Sequence, residues 1–206
     1  MRSGGSSELA KAAATLRRRG GAGKPPARLP ALLAFTDPAR TPDPVALAAA
    51  LPGGVGLVLR LFGAADAAAQ ARAVRRASPG RLLLIGADAR LAAQVGADGV
   101  HLPQRLTHRA AALKRAHPRW IVTAAAHDLA SARRAAACGA DAVVVSVVFE
   151  SRSASAGRAM GPVRFAALTR RVATPVYALG GVNARNARRL LGSRAIGIAA
   201  VDGLRT

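Results

Sequence analysis

From residue 31 onward the chain repeats one unit: a short aliphatic run, a turn, then an alanine-rich stretch with apolar residues at helical spacing. The aliphatic runs fall at residues 31–36, 55–60, 81–86, 98–102, 120–125, 141–146, 175–180 and 195–200, and helices are predicted between them over 43–51, 64–77, 88–95, 107–116, 128–138, 162–172 and 183–191. Strands apolar on both faces are buried on both, and strict alternation with helices requires right-handed crossovers between parallel neighbours. An open doubly wound sheet satisfies this rule, and so does a closed barrel. Eight strands are what closure needs, so we expect an α/β chain with a single (β/α)8 TIM-barrel domain over residues 29–206. With the sequence stopping at Thr206, the eighth helix is expected to be truncated.

A length of 206 residues with 51% hydrophobic content suits one core, and 3% aromatics suits aliphatic layers rather than an aromatic platform for bases. Residues 1–28 read as a basic, flexible extension without the apolar segment of a secretory signal. Within it, residues 8–19 have the pattern of a short helix bounded by Gly and Pro, which would cover the place of the missing last helix. No run of eighteen apolar residues occurs, so no membrane partner is expected. The single Cys138 has no partner for an intrachain disulfide and no Cys/His cluster for zinc, which fits a reducing, cytoplasmic setting.

The formal charge of +21 would ordinarily suggest a nucleic acid. Here the arginines are spread along the exposed stripes of alanine-rich helices, and lysine occurs only at positions 11, 24 and 114. A generally basic surface is expected, with no dedicated nucleic acid partner. The segments VGADGVHL (95–102) and CGADAVVV (138–145) both place Gly-Ala-Asp between a helix end and a strand, so Asp98 and Asp141 are expected as structural joints on the barrel floor. Trp120 and Cys138 are expected to pack.

In a barrel, chemistry gathers where strands end at their carboxyl side. Those ends carry Thr36 and Asp37, Arg60, residues 86–88, residues 101–104, residues 125–127, residues 146–153, Gly180-Gly181 and Ala199-Ala200. After the seventh strand, Gly180 and Gly181 let the backbone approach a ligand, and a helix expected from Asn183 would offer free amides to a phosphate. Gly197 and Ala199 supply small residues on the eighth strand beside it. Arg60 ends an apolar strand and needs an anion nearby, either a ligand or a carboxylate such as Asp37 or Asp88. His127 ends the fifth strand, where an imidazole can move protons near neutral pH. His101 lies inside a strand end, where a satisfied core histidine is the alternative. The Ser/Gly/Ala-rich loop over 150–161 is either a lid or a plain connection.

Residues 92–104 (AAQVGADGVHLPQ), 122–149 and 174–187 (TPVYALGGVNARNA) together resemble the thiamine phosphate synthases and the related thiazole tautomerases. The resemblance implies a (β/α)8 barrel that joins hydroxymethylpyrimidine diphosphate to a thiazole phosphate, releasing pyrophosphate with Mg2+. It implies diphosphate contacts at Arg60 and Gln104, with His101 beside them, and thiazole-phosphate contacts at Gly180, Gly181, Ser151 and Ser153. His127 corresponds to the acid/base of the tautomerases. Several family positions are altered. Val58 and Phe62 replace a glutamine and a lysine, Gly86 and Ala87 replace an asparagine and a metal-binding aspartate, and Leu106 replaces the second metal carboxylate. Ala125 replaces a serine and Ala154 a lysine, while Arg60 and Arg152 remain to offset diphosphate charge. The expected partners are therefore small phosphorylated substrates, and no metal ligand is assigned. The expected function is the synthase reaction of thiamine biosynthesis, with Mg2+ if that activity is retained. The alternatives are a metal-free thiazole tautomerase, a non-catalytic phosphate-binding barrel and a basic nucleic-acid binder.

Overall fold

The computed structural model describes residues 4–19, 27–151, 157–201 and 204. Eight parallel strands, β1 (Leu32–Phe35), β2 (Val55–Leu59), β3 (Leu83–Gly86), β4 (Gly99–Leu102), β5 (Ile121–Ala126), β6 (Ala142–Val145), β7 (Val176–Ala178) and β8 (Ala195–Ala200), pair in sequence order. The sheet closes where Leu32 of β1 pairs with Ile198 of β8. The fold is a (β/α)8 barrel, and every strand lies within two residues of its expected limits.

Alternation along each strand sorts side chains into two layers. On β1, Leu33 and Phe35 join Val58, Leu84, Val144 and Tyr177 in the lumen, while Leu32 and Ala34 face the helices. Those helices are α1 (Gly4–Arg19), α2 (Pro44–Ala50), α3 (Ala67–Ala77), α4 (Ala89–Gln94), α5 (Ala110–Ala116), α6 (Leu129–Ala137) and α7 (Pro162–Thr169). Short polar side chains start several of them: Asp43 accepts from the amides of Val45 and Ala46, and Asp128 forms a reciprocal box with Ser131. None of the described helices is long and apolar enough to cross a membrane.

On the floor, the two Gly-Ala-Asp joints act alike. Asp98 accepts the Leu83 amide at 2.8 Å and pairs with Arg75 at 2.7 Å; Asp141 accepts the Val122 amide at 2.7 Å and holds Lys114 at 3.0 Å. Each carboxylate thus ties the start of one strand to its neighbour.

Two expectations are to be set against the structure. In the N-terminal segment, residues 4–19 form α1, which includes the helix expected over 8–19 and, unlike a flexible extension, buries Leu9, Ala13 and Leu16, spaced four and three apart, against β8 and β1. Helical spacing of apolar side chains outweighs the basic, glycine-rich flanks. The helix expected over 183–191 is instead a turn followed by a 3-10 segment, Ala187–Leu190. The Asn183 side chain accepts the amides of Arg185 and Asn186, and the Asn186 side chain accepts that of Asn183. These local bonds occupy donors that a helix would have left free at its start.

Candidate active site

A cavity of about 1180 Å³ opens at the carboxyl ends of the strands. Of the expected site residues, Arg60, His101, His127, Ser151, Gly180, Gly181 and Ala199 line it. Ser153 lies outside the described residues, as do Arg152 and Ala154. Two expectations fail. Gln104 is exposed and opens a 3-10 turn away from the cavity, although its neighbours Pro103 and Arg105 face it. Gly197 lies below the cavity. A Cβ there would come within 2.2 Å of the Ala31 carbonyl and 2.9 Å of the Tyr177 ring, so this glycine serves strand packing.

The loop after β7 is shaped by consecutive positive φ angles, 91° at Gly180 and 64° at Gly181, a region that costs glycine little. The Leu179 and Gly180 carbonyls accept from Val148 and Phe149, and the Gly181 carbonyl accepts from the Asn186 side chain. In a trans peptide the N–H points opposite to its carbonyl. The amides of Gly180, Gly181 and Val182 therefore face away from the body of the loop, and they make no hydrogen bond among the described residues. Ala199 and Ala200, at the end of β8, keep the space beside them open. The unbonded amides after β7 thus belong to a loop and not to the helix end that was expected to offer them.

His127 follows β5. Its Nδ1 lies 3.0 Å from the Ser146 carbonyl and 3.2 Å from the Ser146 hydroxyl; the carbonyl only accepts, so the tautomer with its hydrogen on Nδ1 suits that contact and leaves the lone pair on Nε2. Its backbone amide donates to Ser131 Oγ, inside the Asp128 cap of α6, so the helix start fixes the histidine. His101 is different in kind. It is fully buried, bonded through Nδ1 to Thr123 Oγ1 at 2.9 Å and set edge-on to Phe35. Burial, aided by the Arg60 charge, pulls its pKa down to about 3, so it is neutral across the physiological range.

Arg60 ends β2 with its guanidinium held from several sides. It donates to the Thr36 carbonyl at 2.6 Å, pairs with Asp37 at 3.2 Å and lies over the rings of Phe35 and Phe62, 5.7 and 5.6 Å from their centres. Its carboxylate partner is Asp37, not Asp88. Desolvation lowers the Arg60 pKa and Asp37 opposes that shift. Burial would raise Asp37, but the hydrogen bond from Arg40 and the charges of Arg40 and Arg60 hold it below the usual carboxylate range. Asp88 caps α4 by accepting the Leu91 amide at 2.8 Å.

Sequence reasoning missed four cavity residues: Arg40, Arg90, Arg105 and Arg109. They lie three to seven residues beyond strand ends: Arg40 in the turn after β1, Arg90 in the first turn of α4, and Arg105 and Arg109 in the 3-10 segment after β4. That placement was the available signal, masked by arginine elsewhere in the chain.

Fold and site together define a (β/α)8 barrel whose carboxyl-terminal face holds a cavity lined by arginines and by unbonded loop amides. The family model for thiamine monophosphate synthase matches residues 32–204, and the chain belongs to that family. It is 35% identical over 192 residues to the thiamine-phosphate synthase of Alcanivorax borkumensis, covering 86% of each chain. It is 36% identical over 121 residues to the putative thiamine-phosphate synthase 2 of Aquifex aeolicus, a match spanning 59% of this chain and 64% of that protein. Among solved structures it resembles thiamine phosphate pyrophosphorylase from Pyrococcus furiosus, with a TM-score of 0.70 at 26% identity over 84% of this chain and 86% of that one.

Proposed function

We propose that the chain catalyses the synthase reaction, condensing hydroxymethylpyrimidine diphosphate with a thiazole phosphate. One observation carries this reading: a single cavity presents unbonded backbone amides at Gly180–Val182 on one side and arginines on the other, with His127 on the strand between. The cradle suits a phosphate monoester, and the arginines suit a more highly charged group. With both anions seated, the thiazole nitrogen lone pair forms the new C–N bond to the pyrimidine methylene carbon. The C–O bond to the diphosphate breaks, and pyrophosphate leaves with the electron pair. His127, its ring fixed through Nδ1, presents Nε2 to the reacting rings and orients them.

The family reaction is assisted by Mg2+, which favours an octahedral set of oxygen donors that includes carboxylates. The residues here do not fit that ion. Ala87 and Leu106 stand at the two family carboxylate positions, Asp88 is committed to capping α4, and no cluster of three or more acidic, His or Cys side chains occurs among the described residues. No step is derived through a metal.

Pyrophosphate release from the two precursors tests the proposal directly: the purified chain should release it only when both are present. Absence of release with both precursors would overturn the synthase reading. The basic Nε2 of His127 and the missing carboxylates favour one second reading, proton exchange on the thiazole ring by a tautomerase. Deuterium uptake into the thiazole phosphate without condensation would establish it.

A further inference from the structure

We infer that an arginine clamp on the β1–β4 side of the cavity binds a diphosphate group without a divalent metal. The inference rests on the proposed substrate reading, and it concerns how the more highly charged substrate is held. Among the described residues five guanidinium groups line the cavity: Arg40, Arg60, Arg90, Arg105 and Arg109, from the segments that follow β1 to β4. Two carboxylates among the described residues, Asp88 and Glu150, share that lining.

The five arginines are not equivalent. Arg40 and Arg60 converge on Asp37, at 3.3 and 3.2 Å. Arg90, Arg105 and Arg109 are exposed and have no hydrogen-bond or ion-pair partner among the described residues. Three unpaired cations lining one opening raise the positive potential there, which favours an entering anion. Guanidinium forks also match phosphate oxygens two at a time, which a single lysine does not.

The loop after β3 shows the exchange of one solution for another. Ala87 keeps a left-handed backbone, φ 64°, with its amide bonded to the His101 carbonyl at 2.8 Å. The backbone shape at the family's aspartate position is thus defined, but it carries a methyl group. Three residues on, Arg90 faces the same cavity. Likewise Leu106 stands at the second carboxylate position, directly after Arg105. At both places a donor for a cation is absent and a cation is adjacent, so the charge needed against a diphosphate is supplied by the chain itself. Phe62 completes the change: where the family has a lysine, an exposed aromatic ring covers Arg60.

The decisive measurement is binding of inorganic pyrophosphate to the full chain by titration calorimetry in EDTA, with no thiamine precursor present. Pyrophosphate should bind in EDTA, and excess Mg2+ should leave its affinity unchanged or weaken it, because chelation lowers the ligand's charge. The double variant Arg90→Ala/Arg105→Ala should weaken binding by roughly tenfold or more, since a tenfold change corresponds to losing the net worth of one charge-assisted contact. Arg72→Ala/Arg76→Ala, which removes two exposed charges from α3 outside the cavity, should change it less than about twofold. Binding that needs Mg2+, an unaffected double variant, or an equal loss in the α3 control would each overturn the clamp. Failure of condensation with pyrophosphate still bound in EDTA would sink the synthase reading and leave the clamp standing.

Discussion

On the β7–β8 side of the cavity the groups proposed to bind an anion are main-chain amides fixed by glycine backbone geometry, whereas on the β1–β4 side they are guanidinium groups on long side chains. The difference is one of tolerance. A backbone cradle depends on a φ value and on empty space, so a single added carbon changes all its donors at once. A side-chain clamp spreads the same work over several independent residues, so each loss is partial. The first arc is built on Gly180 and Gly181, and in the second Ala87, Leu106 and Phe62 stand without charge among the arginines.

The largest effect is expected from Gly181→Ala. A Cβ there would come within 2.1 Å of the Glu150 carbonyl and 2.6 Å of that of Phe149, on a backbone at φ 64°. Strain and displacement of a neighbouring main chain together cost about 3 kcal/mol. Thermal unfolding should fall by roughly 6–12 °C in a domain of this size. Thiazole phosphate binding should be lost, while pyrophosphate binding is retained. Loss of both anions together would show that the two arcs are not independent.

Next in size is His127→Ala, which strikes between the arcs. Removing an oriented ring should lower turnover by about a hundredfold. The affinities for thiazole phosphate and for pyrophosphate, measured separately, should stay within about threefold of the parent chain, because the loss of a positioning group falls on the reaction and not on ground-state binding. A variant that loses affinity for one anion would reassign His127 to that anion's arc.

Beneath the arginine arc, His101 gives a smaller, pH-dependent effect. Its folded pKa is about 3 against an ordinary 6.5, so between these values the unfolded chain holds a proton that the folded chain lacks. Stability should therefore rise with pH from about 3 to 6.5 and level off above, with a slope on the order of 1 kcal/mol per pH unit. Asp37 and Asp128 are shifted downward, so their contributions are present above the unfolded carboxylate value and fade only below about pH 4. Urea unfolding at pH 4.5, 5.5 and 6.5 separates the two windows, and His101→Gln should flatten the upper one. An unchanged slope in that variant would place the titration elsewhere.

The two arcs also differ in how far sequence revealed them. That Gly180, Gly181 and His127 line the cavity was legible because each stands at the carboxyl end of a strand, where a barrel gathers its rim. The barrel was legible because alternation with helices leaves few ways to bury eight apolar strands. What failed depended on information outside local pattern. Asn183 and Asn186 sit in a sequence that reads as helical, but their side chains satisfy the amides first. Gly197 was grouped with the end of the eighth strand, but it lies three residues inside β8, opposite Tyr177. The helix over 8–19 was readable from its pattern between breakers, but flanking composition cast the segment as an extension, and its burial through Leu9, Ala13 and Leu16 comes from the structure. The arginine arc was hidden because its residues look the same as the many arginines that decorate helices.

The smallest expected effect bears on the charge of that arc. Asp88 is the one carboxylate at the end of β3, beside the family's metal position, and its Oδ1 accepts the Leu91 amide at the start of α4. If capping is its whole task, Asp88→Ala should cost about 1 kcal/mol of stability, the ordinary worth of such a cap, and Asp88→Asn, which keeps an acceptor, should cost less. Neither change should introduce or remove a Mg2+ requirement for pyrophosphate binding. Removing a negative charge from a cavity rich in guanidinium groups should if anything tighten that binding slightly, since like the pyrophosphate itself Asp88 competes for their field. A variant that binds pyrophosphate more weakly, and recovers when Mg2+ is raised, would show that Asp88 serves a cation and that the two arcs differ less than their side chains suggest.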